Sequence, residues 1–257
     1  MYPYPLFLNV RLYGIMIAVG VLCAFGVLYL YGKKLKISEK LLDFVFYDGV
    51  ASILLGFLSA TLFQSVYNYL ENPEAGFSFG GMTFIGGLIG GAAVFLAAYF
   101  VLRKKLGIRL TDVLSVIPCS IVIAHGFGRI GCFFAGCCYG KPTDSFLGVQ
   151  FPNHAVKVHP TQLYEAAFLF LLFALFSFLV LKKGFRQNLS LYLVLYGVFR
   201  FLIEYVRGDD RGQFIGIFSP SQFWSVFMVA IGIGLYFALE AFFKKQAEKE
   251  NTEQKSE

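Results

Sequence analysis

Charge is what this sequence has least of. Only 15% of its 257 residues are Asp, Glu, Lys or Arg, and apolar runs of about twenty residues pass without one, which no ordinary soluble core requires. Histidine occurs three times, so imidazole chemistry is confined to His125, His154 and His159. No glycine-rich nucleotide loop stands between a strand and a helix, and no soluble cofactor is implied. No internal repeat is present, which weighs against the repeat-built transporter folds. The apolar runs do not alternate with polar residues, which argues against barrel strands. The first run begins near Tyr13, without a preceding basic stretch or a nearby small-residue cleavage site, so it is expected to remain as a span.

What the chain has is apolar and aromatic side chains, 57% and 18% of the residues. In hydrocarbon every backbone polar group must be satisfied within its own segment, so the expected fold class is all-α, a polytopic membrane helical bundle. Seven transmembrane helices fit, at about 12–31, 43–66, 83–102, 112–134, 161–181, 189–206 and 219–243. The net charge of +6 would point to nucleic acid in a soluble protein; here the bases fall in short clusters between the runs, so no nucleic acid is expected. The clusters Lys33 to Lys40, Arg103 to Arg109, Lys182 to Arg186 and Lys244 to Lys255 occupy alternate connections. By the positive-inside rule those four are cytoplasmic, the N-terminus lies outside and the C-terminus inside. Residues 1–243 then make one transmembrane catalytic domain, with outward connections at 67–82, about 137–160 and 207–218, and 244–257 a polar cytoplasmic tail.

Three charges interrupt the apolar runs. An arginine at the bilayer centre costs about 2.5–3.5 kcal/mol on insertion scales, so Arg129, Arg200 and Glu204 require partners. Glu204 follows Arg200 by four residues and could be a purely structural pair on one helix face. Arg129 has no local acid; its partner must come from another helix or from a ligand, and a guanidinium fork in a headgroup layer suits a phosphate. Arg129, Arg200 and Glu204 fall in the outer halves of their spans, with Glu165, Tyr13, Arg11 and Gln64 near the same face. That gathering suits an anionic phospholipid better than an ion path, which would place acids through the whole depth. Six glycines between Gly80 and Gly91 permit close helix packing, and helix starts also present N–H groups to anions. Gly126, Gly128 and Gly131 around Arg129, followed by Gly136 and Gly140, predict a broken helix bent around a ligand.

Several of these motifs together resemble the phosphatidylglycerol–prolipoprotein diacylglyceryl transferase family. They are Gly128-Arg129-Ile130-Gly131-Cys132-Phe133 with Tyr139-Gly140, His159-Pro160-Thr161-Gln162-Leu163-Tyr164-Glu165, and Tyr196-Gly197-Val198-Phe199-Arg200 through Glu204. Arg11-Leu12-Tyr13-Gly14, Met82-Thr83-Phe84 and Ser221-Gln222-Phe223-Trp224-Ser225 stand in the same order, so the resemblance runs from about Arg11 to Ser225. It implies a seven-span transferase of the bacterial cytoplasmic (inner) membrane with its active site toward the outer face. Such an enzyme moves the diacylglyceryl group of phosphatidylglycerol to the lipobox cysteine thiol of a preprolipoprotein signal peptide and releases glycerol phosphate. Catalytic roles are then expected for Arg129, Arg200, Glu204, Tyr13 and His125, and substrate contacts for Gly86, Gly87, Gly128, Gly140, Glu165 and Tyr196. No metal is expected.

Three positions depart from the family pattern: Ile85 stands where a histidine precedes the double glycine, Cys132 replaces an asparagine, and Cys137 replaces an acid. His125, four residues before Arg129, is the candidate replacement base, weighed against a packing role. For Cys132, Cys137 and Cys138 three readings stand: a disulfide, a thiolate nucleophile, and, last in rank, a metal site with His125. Two competing functions follow: a diverged lipid or thiol transferase using Cys137 or Cys138, and a non-catalytic lipid-binding or transport protein.

Overall fold

The computed structural model describes residues 4–7, 10–152, 154–208 and 218–254. Among these, seven helices are long and apolar enough to cross a membrane. They are α1 (Leu12–Lys34), α2 (Glu39–Glu71), α3 (Phe84–Leu106), α4 (Ile117–Ala135), α5 (Thr161–Lys183), α6 (Asn188–Ile203) and α7 (Pro220–Gln254). A short antiparallel ribbon, β1 (Pro5–Phe7) with β2 (Val10–Arg11), precedes α1. The protein is therefore an all-helical multi-pass membrane protein, as the apolar runs predict. Most of the expected connection at 207–218 lies outside the described residues, as do Asn153 of the 137–160 segment and the last three residues.

Helix ends differ from the expected spans for local reasons. α2 has 33 residues, about 50 Å at 1.5 Å each, against the about 30 Å of a hydrocarbon core, so its polar ends extend beyond the apolar window. α4 starts at Ile117 rather than 112 because a 3-10 turn occupies Leu110–Asp112, and Pro118, which has no N–H to donate, sits in the first turn of the helix. α4 is continuous through Ala135, so the helix expected to break near Arg129 breaks only at Gly136. There φ is 71°, a left-handed conformation that glycine adopts without a Cβ clash, and the Gly136 N–H caps the Cys132 and Phe133 carbonyls. α7 runs on as helix through the polar segment as far as Gln254.

The chain divides into two compact units, 32–113 and 1–31 with 114–257. In the first, α2 packs along α3 through glycine. A Cβ at Gly56 would lie 3.1 Å from the Gly87 carbonyl oxygen, and one at Gly91 3.1 Å from that of Ser52. The Ser59 hydroxyl donates to the Gly86 carbonyl at 2.9 Å, so the glycine run closes a helix hairpin. In the second unit α4 packs on α5 and α6 on α7, around Cys119, Val122, Leu169 and Phe176, all inaccessible. Leu22, Leu58 and Leu171 are instead about 70% exposed, an outer surface compatible with lipid and a liability in water.

Candidate active site

α5 opens with a polar first turn inside this second unit. Thr161, Gln162 and Glu165 are all essentially inaccessible, and a buried carboxylate persists only with partners. Glu165 has two close ones and a third nearby. Arg129 Nε of α4 lies 3.0 Å from Oε2 as an ion pair, the Tyr196 hydroxyl of α6 donates to Oε1 at 2.6 Å, and His125 Nε2 lies 3.7 Å from Oε1. The partner that Arg129 lacks in its own helix is thus supplied by α5. His125 and Arg129 are one turn apart, and Arg129 Nε also points to His125 Nε2 at 3.3 Å. A guanidinium Nε carries one hydrogen, so that bond goes to the imidazole, which accepts through an unprotonated Nε2, while Glu165 holds the guanidinium by charge. The His125 ring meets the Tyr196 ring edge-on at 5.1 Å, and Tyr192 stacks on Tyr196 one turn before it.

This side-on pairing leaves both terminal nitrogens of Arg129 without a partner among the described residues. Their four N–H bonds form the open face of the fork. Gly128 beside it is open too: a Cβ there would meet nothing within 4 Å. Tyr13 crosses α4 one turn along, where a Cβ on Gly131 would lie 3.1 Å from the Tyr13 ring.

Arg200 is engaged differently. It donates to Glu204 at 2.6 Å and to the Ser221 hydroxyl of α7 at 2.7 Å, while Ser219 donates to the other Glu204 oxygen at 2.9 Å and Arg207 Nε lies 3.7 Å from the carboxylate. The local pair read from the i, i+4 spacing is present, extended by two serines and a second arginine.

Gly140 is a backbone crossing. Its N–H donates to the His159 carbonyl at 2.8 Å, the next N–H donates to the Val206 carbonyl at 2.8 Å, and a Cβ there would come within 2.7 Å of His159 Cβ and of the Val206 oxygen. The turn after α4, the approach to α5 and the end of α6 are joined at that residue. Gly86 and Gly87 lie in the α2–α3 hairpin, filled against Phe63 and Ala60. His159 pairs with the Tyr164 hydroxyl at 3.2 Å rather than with Arg129.

In sequence Glu165 is a residue at a span end; only the fold shows α4, α5 and α6 converging on it. Tyr192, Ser219 and Arg207 join the clusters without being expected from the sequence. The four-residue spacing of Tyr192, Tyr196 and Arg200 was the available signal for the first. Cys132, Cys137 and Cys138 come together, with their Sγ atoms within 4.8 Å of one another, and His125 is not among them. Hydrogen bonds from the Cys132 and Cys137 thiols, and then from Arg207, hold the Cys138 thiol below its ordinary range, while Cys137 is pushed up by its bonds to Cys132 and Cys138.

Seven membrane-crossing helices, with buried arginine–carboxylate clusters among α4 to α7, define a polytopic membrane protein with an ionic site. The comparison with known proteins is more particular. The family described as prolipoprotein diacylglyceryl transferase matches residues 4–238, and the chain belongs to that family. A phosphatidylglycerol–prolipoprotein diacylglyceryl transferase of Clostridium tetani is 39% identical over 235 residues, covering 87% of this chain and 91% of the relative. A second form of that transferase from Clostridium perfringens is 33% identical, covering 89% and 91%, and the one from Bordetella bronchiseptica is 34% identical, covering 89% and 90%.

Proposed function

We propose that this protein transfers the diacylglyceryl group of phosphatidylglycerol to the lipobox cysteine thiol of a preprolipoprotein, the first step of bacterial lipoprotein modification. The observation that carries the reading is the Arg129 fork, tethered through Nε to Glu165 with its terminal nitrogens free to take a phosphate. The relatives' names supply the substrates: phosphatidylglycerol and a prolipoprotein.

In the transfer the substrate thiolate attacks the glyceryl carbon, a C–S bond forms, the C–O bond to phosphate breaks, and glycerol phosphate leaves with the electron pair. Charge grows on the departing phosphate oxygen, where Arg129 donates from a low-dielectric site. Arg200, bound to Glu204 and Ser221, keeps α6 and α7 in register and holds its charge ready for the lipid headgroup. Tyr196 and Glu165 orient Arg129, and Gly128 leaves room for the headgroup. His125, whose Nε2 carries no proton, is the base that takes the thiol proton in this reading. No enzyme nucleophile is needed. Gly86 and Gly87, packed against Phe63 and Ala60 in the α2–α3 hairpin, take no part in this reading.

The enzyme works in the cytoplasmic membrane with this site toward the outer face, N-terminus out and residues 244–257 in the cytoplasm, on the strength of the alternating basic clusters. Single cysteines at Ser38 and Ser145, in a background lacking the native ones, test it with an impermeant reagent on intact cells: Ser145 labels and Ser38 does not. The chemistry is tested by Arg129→Lys, which keeps the charge and loses the fork. Turnover on phosphatidylglycerol should fall about 100-fold, as for loss of one preorganised oxyanion donor, in a folded protein. Unchanged turnover refutes the assignment.

A further inference from the structure

The transfer chemistry makes no use of the sulfur cluster at the end of α4. Cys132 lies in the last turn of the helix, Cys137 and Cys138 just beyond Gly136, and all three Sγ atoms fall within 4.8 Å of one another without a disulfide. The backbone is bent to bring them there: Cys138 has φ 65°, and among the described residues only one other non-glycine residue, Lys36, has a positive φ. A residue with a Cβ keeps that conformation only where its surroundings enforce it. Two buried side chains from the start of α5 do so. Thr161 donates to the Cys138 carbonyl at 2.8 Å and Gln162 to the Cys137 carbonyl, so the turn is held from behind. No carboxylate belongs to the cluster among the described residues, which leaves hard cations without oxygen ligands; sulfur alone selects thiophilic ions.

We propose that Cys132, Cys137 and Cys138 bind one thiophilic metal ion of the zinc class as a three-thiolate site. Zinc–sulfur bonds of about 2.3 Å put tetrahedral sulfurs about 3.8 Å apart, so the cluster closes by about 1 Å at its widest. Three thiols release their protons to solvent as three metal–sulfur bonds form, and no electron is transferred. Cys137 is exposed, so water reaches the fourth position. Zinc with three thiolates carries one negative charge, and the Arg207 guanidinium lies beside Cys138. The ion joins the end of the helix that carries Arg129 to the turn that leads into Gly140. It is structural, and the proposal stands apart from the transfer reading because its signal needs no lipid.

The test uses the full-length protein in detergent, reduced and metal-stripped, titrated with Co2+ as a spectroscopic probe. One equivalent should bind with a thiolate-to-cobalt charge-transfer band, be displaced by Zn2+, and give a Zn2+-dependent rise in melting temperature. The exposed Cys137→Ser should lose band intensity and weaken Zn2+ binding by at least the 10- to 100-fold (roughly) that loss of an outer-shell partner costs, with Cys23→Ser unchanged. Three results overturn the proposal: no charge-transfer band in wild-type protein whose thiols count as reduced, undiminished binding when all three cysteines are serine, or a native Cys132–Cys137 or Cys132–Cys138 disulfide captured by thiol trapping in cells.

Discussion

Replacing Glu165 by glutamine changes one oxygen for an NH2 and should disable the site, because Glu165 is only 1% exposed and holds Arg129 at one oxygen and the Tyr196 hydroxyl at the other. The amide accepts through one oxygen only: with its NH2 on Arg129 it sets donor against donor, and with its NH2 on Tyr196 the hydroxyl must turn from donor to acceptor, while in both orientations the charge that holds Arg129 is gone. Breaking a buried ion pair from one side costs about 3–5 kcal/mol, and the Arg129 side chain at 19% exposure is buried enough for that range to apply. Activity should fall further than stability, by about 100-fold or more, since a shift of about 1 Å in a positioning group costs that much. Thermal unfolding in detergent and transfer to a lipobox peptide are measured side by side. A double variant, Arg129→Met with Glu165→Leu, separates the two effects: with both charges gone the stability loss should largely disappear, while transfer stays absent. Wild-type stability and turnover in Glu165→Gln would refute the hub. So would an active double variant.

Gly140→Ala puts a Cβ 2.7 Å from the Val206 carbonyl oxygen and should destabilise by about 1–3 kcal/mol, read as a lower melting temperature with the lipid still accepted at low temperature. His125→Ala should reduce turnover more than Cys138→Ala, since the imidazole faces Arg129 at 3.3 Å and the thiol belongs to the separate sulfur cluster. Cys132, Cys137 and Cys138 changed singly to Ser should each leave transfer measurable. A diacylglyceryl adduct on Cys137 or Cys138, with activity lost in a folded Ser variant, would replace direct transfer by a covalent mechanism.

Much of this was legible in order along the chain, because hydrocarbon imposes a one-dimensional rule: long apolar runs become helices wherever they stand. Span ends were less legible, since α2 and α7 continue through polar residues that the apolar windows exclude. Arg200 and Glu204 could be paired from their spacing, being on one helix face. The Arg129–Glu165–Tyr196 hub could not, because its members sit on three helices and nothing in their spacing says that Glu165 turns inward. The glycines illustrate the same limit. Gly56, Gly87 and Gly91 are required by helix contact, Gly140 by a backbone crossing and Gly136 by a positive φ, yet all five read alike in sequence. The predicted break near Arg129 failed because Gly126 and Gly131 serve packing, against Phe170 and Tyr13, and leave the helix straight until Gly136.

The most direct test is a mass measurement. The purified protein, in vesicles containing phosphatidylglycerol, is incubated with a synthetic peptide carrying a lipobox cysteine, and the peptide is weighed. The account predicts a gain of one diacylglyceryl group on the cysteine sulfur, with equimolar release of glycerol phosphate, abolished when that cysteine is serine and nearly absent with Arg129→Lys. A folded, lipid-binding protein that leaves the peptide mass unchanged, with phosphatidylglycerol intact, would contradict it and make the chain a non-catalytic lipid binder.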